Sequence, residues 1–496
     1  MFSKYVILCF NYSCVISKIP NSYRYGEFFM TYTAIVMVTV IVYMAALIGI
    51  GFWAKSRNDN TEDFFLGGRK IGPIVGALSY SASAASAWTL LGLSGAAYLF
   101  GVSVIWVVLG SFLGMLIAYF WIGPRLLDFS HRQKLITFTD FITFGSTGPS
   151  RVAILILSSA IILFCFSTYV ASQFQGAGSA FSLIFEWPMY SSVMIGGAVI
   201  MIYSFLGGFL AISITDTIQG FLMAVTALLL PVFGLIELGG PSNFVDALRQ
   251  VSSPEQISLS AGNVGLMAVG MIVGSICIGV GTFGQPHLMV RFMAIRDQKS
   301  LFEAGYITIV WYFIVFGGMC LLGLIGHILF PVIDDPELIF FAVTERVFPP
   351  AFAGILLASV LSAIMSTADS QLLVCASTIS HDLGLSRRFP SKELFISRVT
   401  IAVIIVIAIA ITLSVPSSIF DRVVFSWVAL GSAFGPLVFV RLFGIKCGSY
   451  SVLMSITTGF GLAVSFSLLP NTIGDILERG MPFLLALFVL LIFRKS

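Results

Sequence analysis

The stretch "IMSTADSQLL", residues 364–373, sets two hydroxyls (Ser366 and Thr367), a carboxylate (Asp369) and two more polar side chains (Ser370 and Gln371) inside a long apolar run. Ala363, Ser366, Thr367 and Ser370 recur at i, i+3, i+4 and i+7, so one stripe of a helix carries three hydroxyls. Asp369 lies off that stripe, roughly 60° from Ser366 and roughly 160° from Thr367 at 100° per residue. A hard cation needs several neutral or anionic oxygens. Adjacent hydroxyls, joined by main-chain carbonyls freed in another helix, supply them without a buried charge. An acid held within a membrane is costly, so Asp369 marks either a function or a structural pairing with another polar group.

The rest of the chain makes the membrane setting clear. Its 496 residues are 58% hydrophobic and 10% charged, with mean hydropathy +1.01. Soluble domains carry about 25% charged residues. Apolar runs of bilayer-spanning length recur from end to end, which predicts an all-α polytopic membrane protein. A net charge of +3 without a basic run gives no reason to expect a nucleic-acid partner. The seven cysteines form no CxxC pair and the four histidines show no ligand spacing, so neither a disulfide framework nor a metal motif is expected. No nucleophile–base set points to an enzyme.

Hydropathy predicts about thirteen spans, near 33–54, 71–101, 103–123, 152–173, 189–210, 215–237, 263–287, 305–330, 350–380, 397–414, 422–443, 450–469 and 480–493. If the 55–70 loop is inside, the inner loops gather most Lys and Arg, among them Arg291, Arg296 and Lys299 after span 7. The outer side, beyond residue 29, holds Arg249, Arg346, Arg422 and Arg479. The positive-inside rule then puts the start of span 1 outside and the C-terminus in the cytoplasm, in a cell (inner or plasma) membrane. Residues 1–29 make a poor signal peptide, and Lys4, Lys18 and Arg24 would oppose the bias. The expected organisation is an N-terminal extension over 1–29, with Met30 as the true start, and a transmembrane domain over 30–496. The 135–145 stretch reads as a short interfacial helix.

Two spans look unusual. In span 7, Gly279, Gly281 and Gly284 precede Pro286, a pattern that favours an interrupted helix over a simple kink. Span 2 carries Ser79, Ser81, Ser83 and Ser86 among alanines with no Gly or Pro at its middle. Composition alone favours a small-residue helix interface there; the alternative is a polar surface facing a cavity. Their separation suits two repeats of five helices, the layout of inverted-repeat transporters.

Five stretches together resemble the sodium/solute symporters, most closely the bacterial sodium/proline symporters: "FFLGGRKIGP" (64–73), "ALSYSASAASAW" (77–88), "SFLGGFLAISITDTIQ" (204–219), "FGQPHLMVRFMA" (283–294) and "AGILLASVLSAIMSTADSQLLVCAS" (353–377). The resemblance implies a five-plus-five inverted-repeat core with broken helices, one helix before it and two after. It implies Na⁺ as the co-transported ion, held by Ala82, Ala85, Ala363, Ser366 and Thr367. Asp216 matches a family acid linked to sodium exit, and Asp369 is assigned with it to the ion-exit path. Ser86, Tyr169 and Pro286 match substrate positions. Ala84 stands where the proline carriers have an acid, Ala87 replaces a glycine, and Ile278 and Thr282 replace a Trp and a Tyr. The expected function is sodium-coupled symport of a small organic solute, with proline favoured. The alternatives are Na⁺- or H⁺-coupled uptake of another small amino acid or carboxylate, and a transporter-like solute sensor. The partners expected are that small solute and the lipid bilayer; the oligomeric state is left open.

Overall fold

The computed structural model describes residues 34–50, 61–205, 208–389, 392–415, 417–469 and 475–493. The expected extension over 1–29 and the start at Met30 lie outside them. Among the described residues, nine helical stretches are long and apolar enough to cross a membrane, and Ala34–Ile50 and Met189–Ile202 are shorter apolar helices. One of the nine, Trp88–Gln133, runs 46 residues and joins two expected spans. A tight turn at Gly101–Val104, opened by Gly101 at φ 66°, bends the chain between them. The interfacial helix forms as Phe138–Thr143. Thr137 and Asp140 cap it reciprocally, each side chain taking an orphan N–H at its start.

The polar helix is the central one. In span 9, within Phe352–Asp382, 89% of the most apolar window is buried, against 33% for Glu393–Ser414. Its hydroxyls and acid therefore face protein rather than lipid, the only setting in which polar groups are tolerated at that depth.

Both unusual spans are broken. Span 7 runs as the helix Gly265–Cys277, a tighter stretch Ile278–Gly284, extended Gln285, and a second helix Pro286–Ala294. Pro286 opens that second helix, where its missing N–H costs nothing. Span 2 runs as the helix Pro73–Ala84, extended Ala85, and further helix from Trp88 to Phe100. The small-residue-interface reading of span 2 therefore gives way to a break that neither Gly nor Pro announces. Ala85 (φ −100°, ψ 110°) and Gln285 (φ −82°, ψ 107°) adopt nearly the same extended backbone. Outside helices, one main-chain bridge joins the two spans: Ile71 N–H donates to Ala294 O (3.3 Å), and Arg296 N–H to Ile71 O (3.1 Å).

Polar backbone exposed by a break must find a partner in the protein. At the first break, Ala87 N–H donates to Gln173 Oε1 (3.0 Å) and Trp88 N–H to Ser86 Oγ (3.1 Å). At the second, Gln285 Nε2 donates to the carbonyls of Gly281 and Trp427, both at 3.0 Å.

The glycines of span 7 permit close approach. Gly279 lies against the backbone of Gly110 and Gly114 in the helix Ile105–Ile117, and Gly281 against Gly431 and the Trp427 ring. A Cβ on Gly279 would overlap the Gly110 carbonyl. Gly279→Ala is therefore expected to cost at least about 1–3 kcal/mol, the usual range for overpacking. Melting temperature and folded yield in detergent measure it; an unchanged melting curve would contradict this packing.

Candidate ion and solute site

Span 9 meets the first break along its hydroxyl stripe. Ser366 Oγ donates to Ala82 O (2.9 Å) and, within its own helix, to Ala363 O (3.2 Å). Thr367 Oγ1 reaches Ser83 O (3.2 Å) and Ala82 O (3.5 Å). Ser83 Oγ donates back to Ser366 O (3.1 Å). Ala82, Ala363, Ser366 and Thr367 thus converge, all fully buried. Ala85 is equally buried and ends the helix there, so its carbonyl leaves the helical ladder. Buried hydroxyl and carbonyl oxygens at one point form a neutral oxygen set of the kind that hard cations take.

A charged cluster adjoins it. Arg291 Nη2 donates to Asp216 Oδ2 (2.8 Å) and Ser370 Oγ (2.7 Å), its Nε to Ser79 Oγ (3.0 Å), and its Nη1 to His287 O (2.5 Å). Ser83 also touches the guanidinium, and Ser79 donates to Asp216 Oδ2 (2.8 Å). The other carboxylate oxygen of Asp216, and Oδ2 of Asp369, are buried with no hydrogen-bond partner among the described residues. Asp369 is next in sequence to Ser370, whose hydroxyl faces its Oδ1 at 3.4 Å. The structure thus gathers Asp216 and Asp369 beside the hydroxyl stripe. It also corrects Arg291, read from sequence as a loop charge: Arg291 is buried in the helix Pro286–Ala294 as the partner of Asp216.

Two cavities flank this centre, each with about 20 Å³ of free space, about enough for one water. One brings together Ala84, Tyr169, Ile278 and Thr282, four of the residues assigned to the solute, with Trp88, Ser111, Tyr312, Phe316 and Trp427. Ser86 stands behind this wall, with Tyr169 Oη donating to it at 3.4 Å. Ala87 is held by Gln173 instead. Pro286 does not reach this cavity; it lines the other one, with His287, Arg291, Ser370 and Asp382.

The aromatic wall missing from span 7 is therefore supplied by neighbours. Trp427 Nε1 donates to Ile278 O (3.0 Å) and its ring lies over Gly281, while Tyr312 stacks on Phe316 at 4.6 Å. The available signal was Gly281 itself, a space that a ring from another helix can fill. Trp311 and Tyr312, adjacent aromatics in an apolar span, gave no sign of which one turns inward.

Away from the Arg291 end, this first cavity is roofed by Trp88, which meets Phe316 (5.9 Å) and Phe420 (5.8 Å). Above this roof Glu337 accepts the N–H groups of Ile419 and Phe420, both at 3.0 Å, at the start of the helix Ile419–Leu442. Burial pushes its carboxyl up to about 7 from an ordinary 4.5, against the lowering effect of those two N–H bonds, with Asp335 and Asp421 adding to the rise.

Two outcomes are expected. Asp216→Asn strands Arg291 as a buried, unpaired cation and should cost about 3–5 kcal/mol; adding Arg291→Gln should recover most of it, read as melting temperature. For Glu337, the closed roof binds the proton more tightly than an open one would. Its contribution is full below about pH 4.5 and is lost as pH rises through about 7. Thiol labelling at Leu338→Cys, divided by the rate of an exposed reference thiol at each pH, should therefore speed up between pH 6 and 8, and Glu337→Gln should flatten that corrected dependence.

The chain resembles known proteins over most of its length. The sequence profile of the sodium:solute symporter family matches residues 64–459. The chain is 34% identical over 433 residues to the osmoregulated proline transporter OpuE of Bacillus subtilis (strain 168), covering 86% of this chain and 87% of that one. It is 35% identical over 415 residues to the sodium/proline symporter of Escherichia coli (strain K12), covering 81% and 82%. Among solved structures, the substrate-bound outward-open state of a Na⁺-coupled sialic acid symporter superposes with a TM-score of 0.78 at 16% identity, over 92% of this chain and 97% of that one. That likeness shows a shared fold.

Proposed function

The chain belongs to the sodium:solute symporter family, and on that premise we propose that it carries proline into the cell with Na⁺. It is a multi-pass membrane carrier rather than an enzyme, and Na⁺ is its co-transported ion. Proline is the solute named for the Bacillus subtilis and Escherichia coli relatives, and a small cavity walled by Tyr169, Trp88, Tyr312 and Trp427 suits an apolar ring. The excess of Lys and Arg in one set of loops supports an orientation with the Arg291 end of the bundle at the cytoplasm and the Glu337 end outside.

The observation that carries this reading is the meeting of Ser366 and Thr367 with the carbonyls of Ala82 and Ser83 at the first break. Na⁺ entering from outside exchanges its water for those hydroxyls and for the carbonyls of Ala82, Ala85 and Ala363. Bound there, it ties span 9 to span 2 and completes one wall beside the solute cavity. Proline needs more than the present 20 Å³, so its entry must part Trp88 from Phe420. After closure of this roof, the inner end opens when Arg291 parts from Asp216. Asp216 and Asp369 then offer carboxylate oxygens to the departing ion. One charge crossing 100 mV is worth about 2.3 kcal/mol, roughly forty-fold in accumulation at about 1.4 kcal/mol per tenfold.

Uptake of labelled proline into proteoliposomes tests this, with and without an inward Na⁺ gradient. Uptake should require the gradient. Ser366→Ala and Thr367→Ala should each raise the Na⁺ concentration for half-maximal rate at least tenfold. Na⁺-driven uptake of a competing amino acid or carboxylate, with none of proline, would move the solute and keep the ion site. Uptake indifferent to Na⁺ would remove the ion site.

A further inference from the structure

We propose that Asp382, with the hydroxyls of Thr137 and Ser377, forms a second station for the transported Na⁺ at the cytoplasmic mouth. This inference rests on the Na⁺ coupling proposed above. The cavity beyond Arg291 carries Arg291, Ser370, Ser377, Asp382, Thr137 and Thr139 in a wall otherwise made mostly of apolar side chains. Its free space of about 20 Å³ is about the size of one water. Asp382 Oδ1 accepts the Thr137 hydroxyl at 2.7 Å. Its Oδ2 is buried with no hydrogen-bond partner among the described residues, and Asp382 lines the cavity beside Thr137 and Thr139.

The helix backbone is shaped to put it there. Ser366, Ser370 and Ser377 lie within roughly 40° of one another on the span 9 stripe. A regular helix would carry Asp382 roughly 160° away from Ser366. Thr378–Asp382 instead forms a single π-turn. Such a turn inserts one residue, which rotates the residues beyond it back by roughly 100° and is common at functional sites. The stripe is thereby prolonged, and its last member is an acid. Within this cavity Arg291 repels a cation and Asp382 attracts it, which sets the ion's place at the Asp382 wall. Behind it, Asp140 faces His381 at 3.5 Å. Burial alone would push the Asp140 carboxyl up, but His381 and the N–H groups of Thr137 and Ile136 outweigh it and hold it low. Asp140, His381 and Asp382 thus stand together, their ligand atoms within 4.8 Å of one another.

A station on the release side must be reached by internal Na⁺ and not by external Na⁺. The test measures two constants in proteoliposomes: external Na⁺ for half-maximal proline uptake, and internal Na⁺ for half-inhibition of that uptake. Na⁺ titration of tryptophan fluorescence in detergent, which needs no solute, reports the main ion site separately. Asp382→Asn should leave the external constant and the fluorescence titration within about twofold, raise the internal constant at least fivefold, and lower turnover. Asp382→Glu should restore the internal constant. The proposal is overturned if Asp382→Asn inhibits like the wild type, or if Asp382→Glu behaves like Asp382→Asn. It is equally overturned if both variants lose the fluorescence response, which marks a purely structural role. A wild type whose uptake and fluorescence ignore Na⁺ overturns the coupling itself; a wild type that responds normally confines the failure to Asp382.

Discussion

A helix interrupted inside a bilayer exposes main-chain N–H and C=O groups that lipid cannot satisfy. Much of this molecule answers that constraint. Gln173, Ser86 and Gln285 take the groups loosened at the two breaks. The hydroxyls of Ser366 and Thr367 take the carbonyls of Ala82 and Ser83. These last contacts are the exchangeable ones, because a hydroxyl can turn its oxygen to a cation while the carbonyl beside it does the same. The buried oxygen set is thus made from groups that the break had already brought together.

The charged cluster next to it works differently. Arg291 and Asp216 are both buried, and a buried pair is held less by net gain than by the cost of separating it. Three serines share the guanidinium and carboxylate hydrogen bonds, so the pair is neutral overall yet polar enough to be rearranged. Glu337 closes the opposite end by accepting two main-chain N–H groups at a helix start, with burial pushing its carboxyl up to about 7. The two closures are chemically distinct, so they can respond separately to ion and proton.

Much of this was legible in the sequence. The hydroxyl stripe of span 9 follows from helical period alone, and the glycines before Pro286 announce the second break. The first break was not legible, because its signal is Gln173, a residue nearly 90 positions away that accepts the freed Ala87 N–H. Arg291 misled for a related reason. Near the end of a hydrophobic run it looks like a flanking charge, and only the placement of Asp216 makes it a buried partner. The cavity wall was half legible: span 7 has Ile278 and Thr282 where aromatics were looked for, but Trp427 and Tyr312 fill the space from helices whose facing side periodicity leaves undecided.

The contacts that define the centre share one property. Ala82 with Ser366, Asp216 with Arg291, and Ile71 with Ala294 and Arg296 each join one half of the chain to the other. Neither five-helix repeat contains both members of any of these pairs. In evolutionary terms, a half-length ancestor could have built this centre only between two copies inserted in opposite orientations. Fusion would then have fixed as a single chain what began as an antiparallel dimer, and freed each half to specialise, one keeping the carbonyls and the other the hydroxyls.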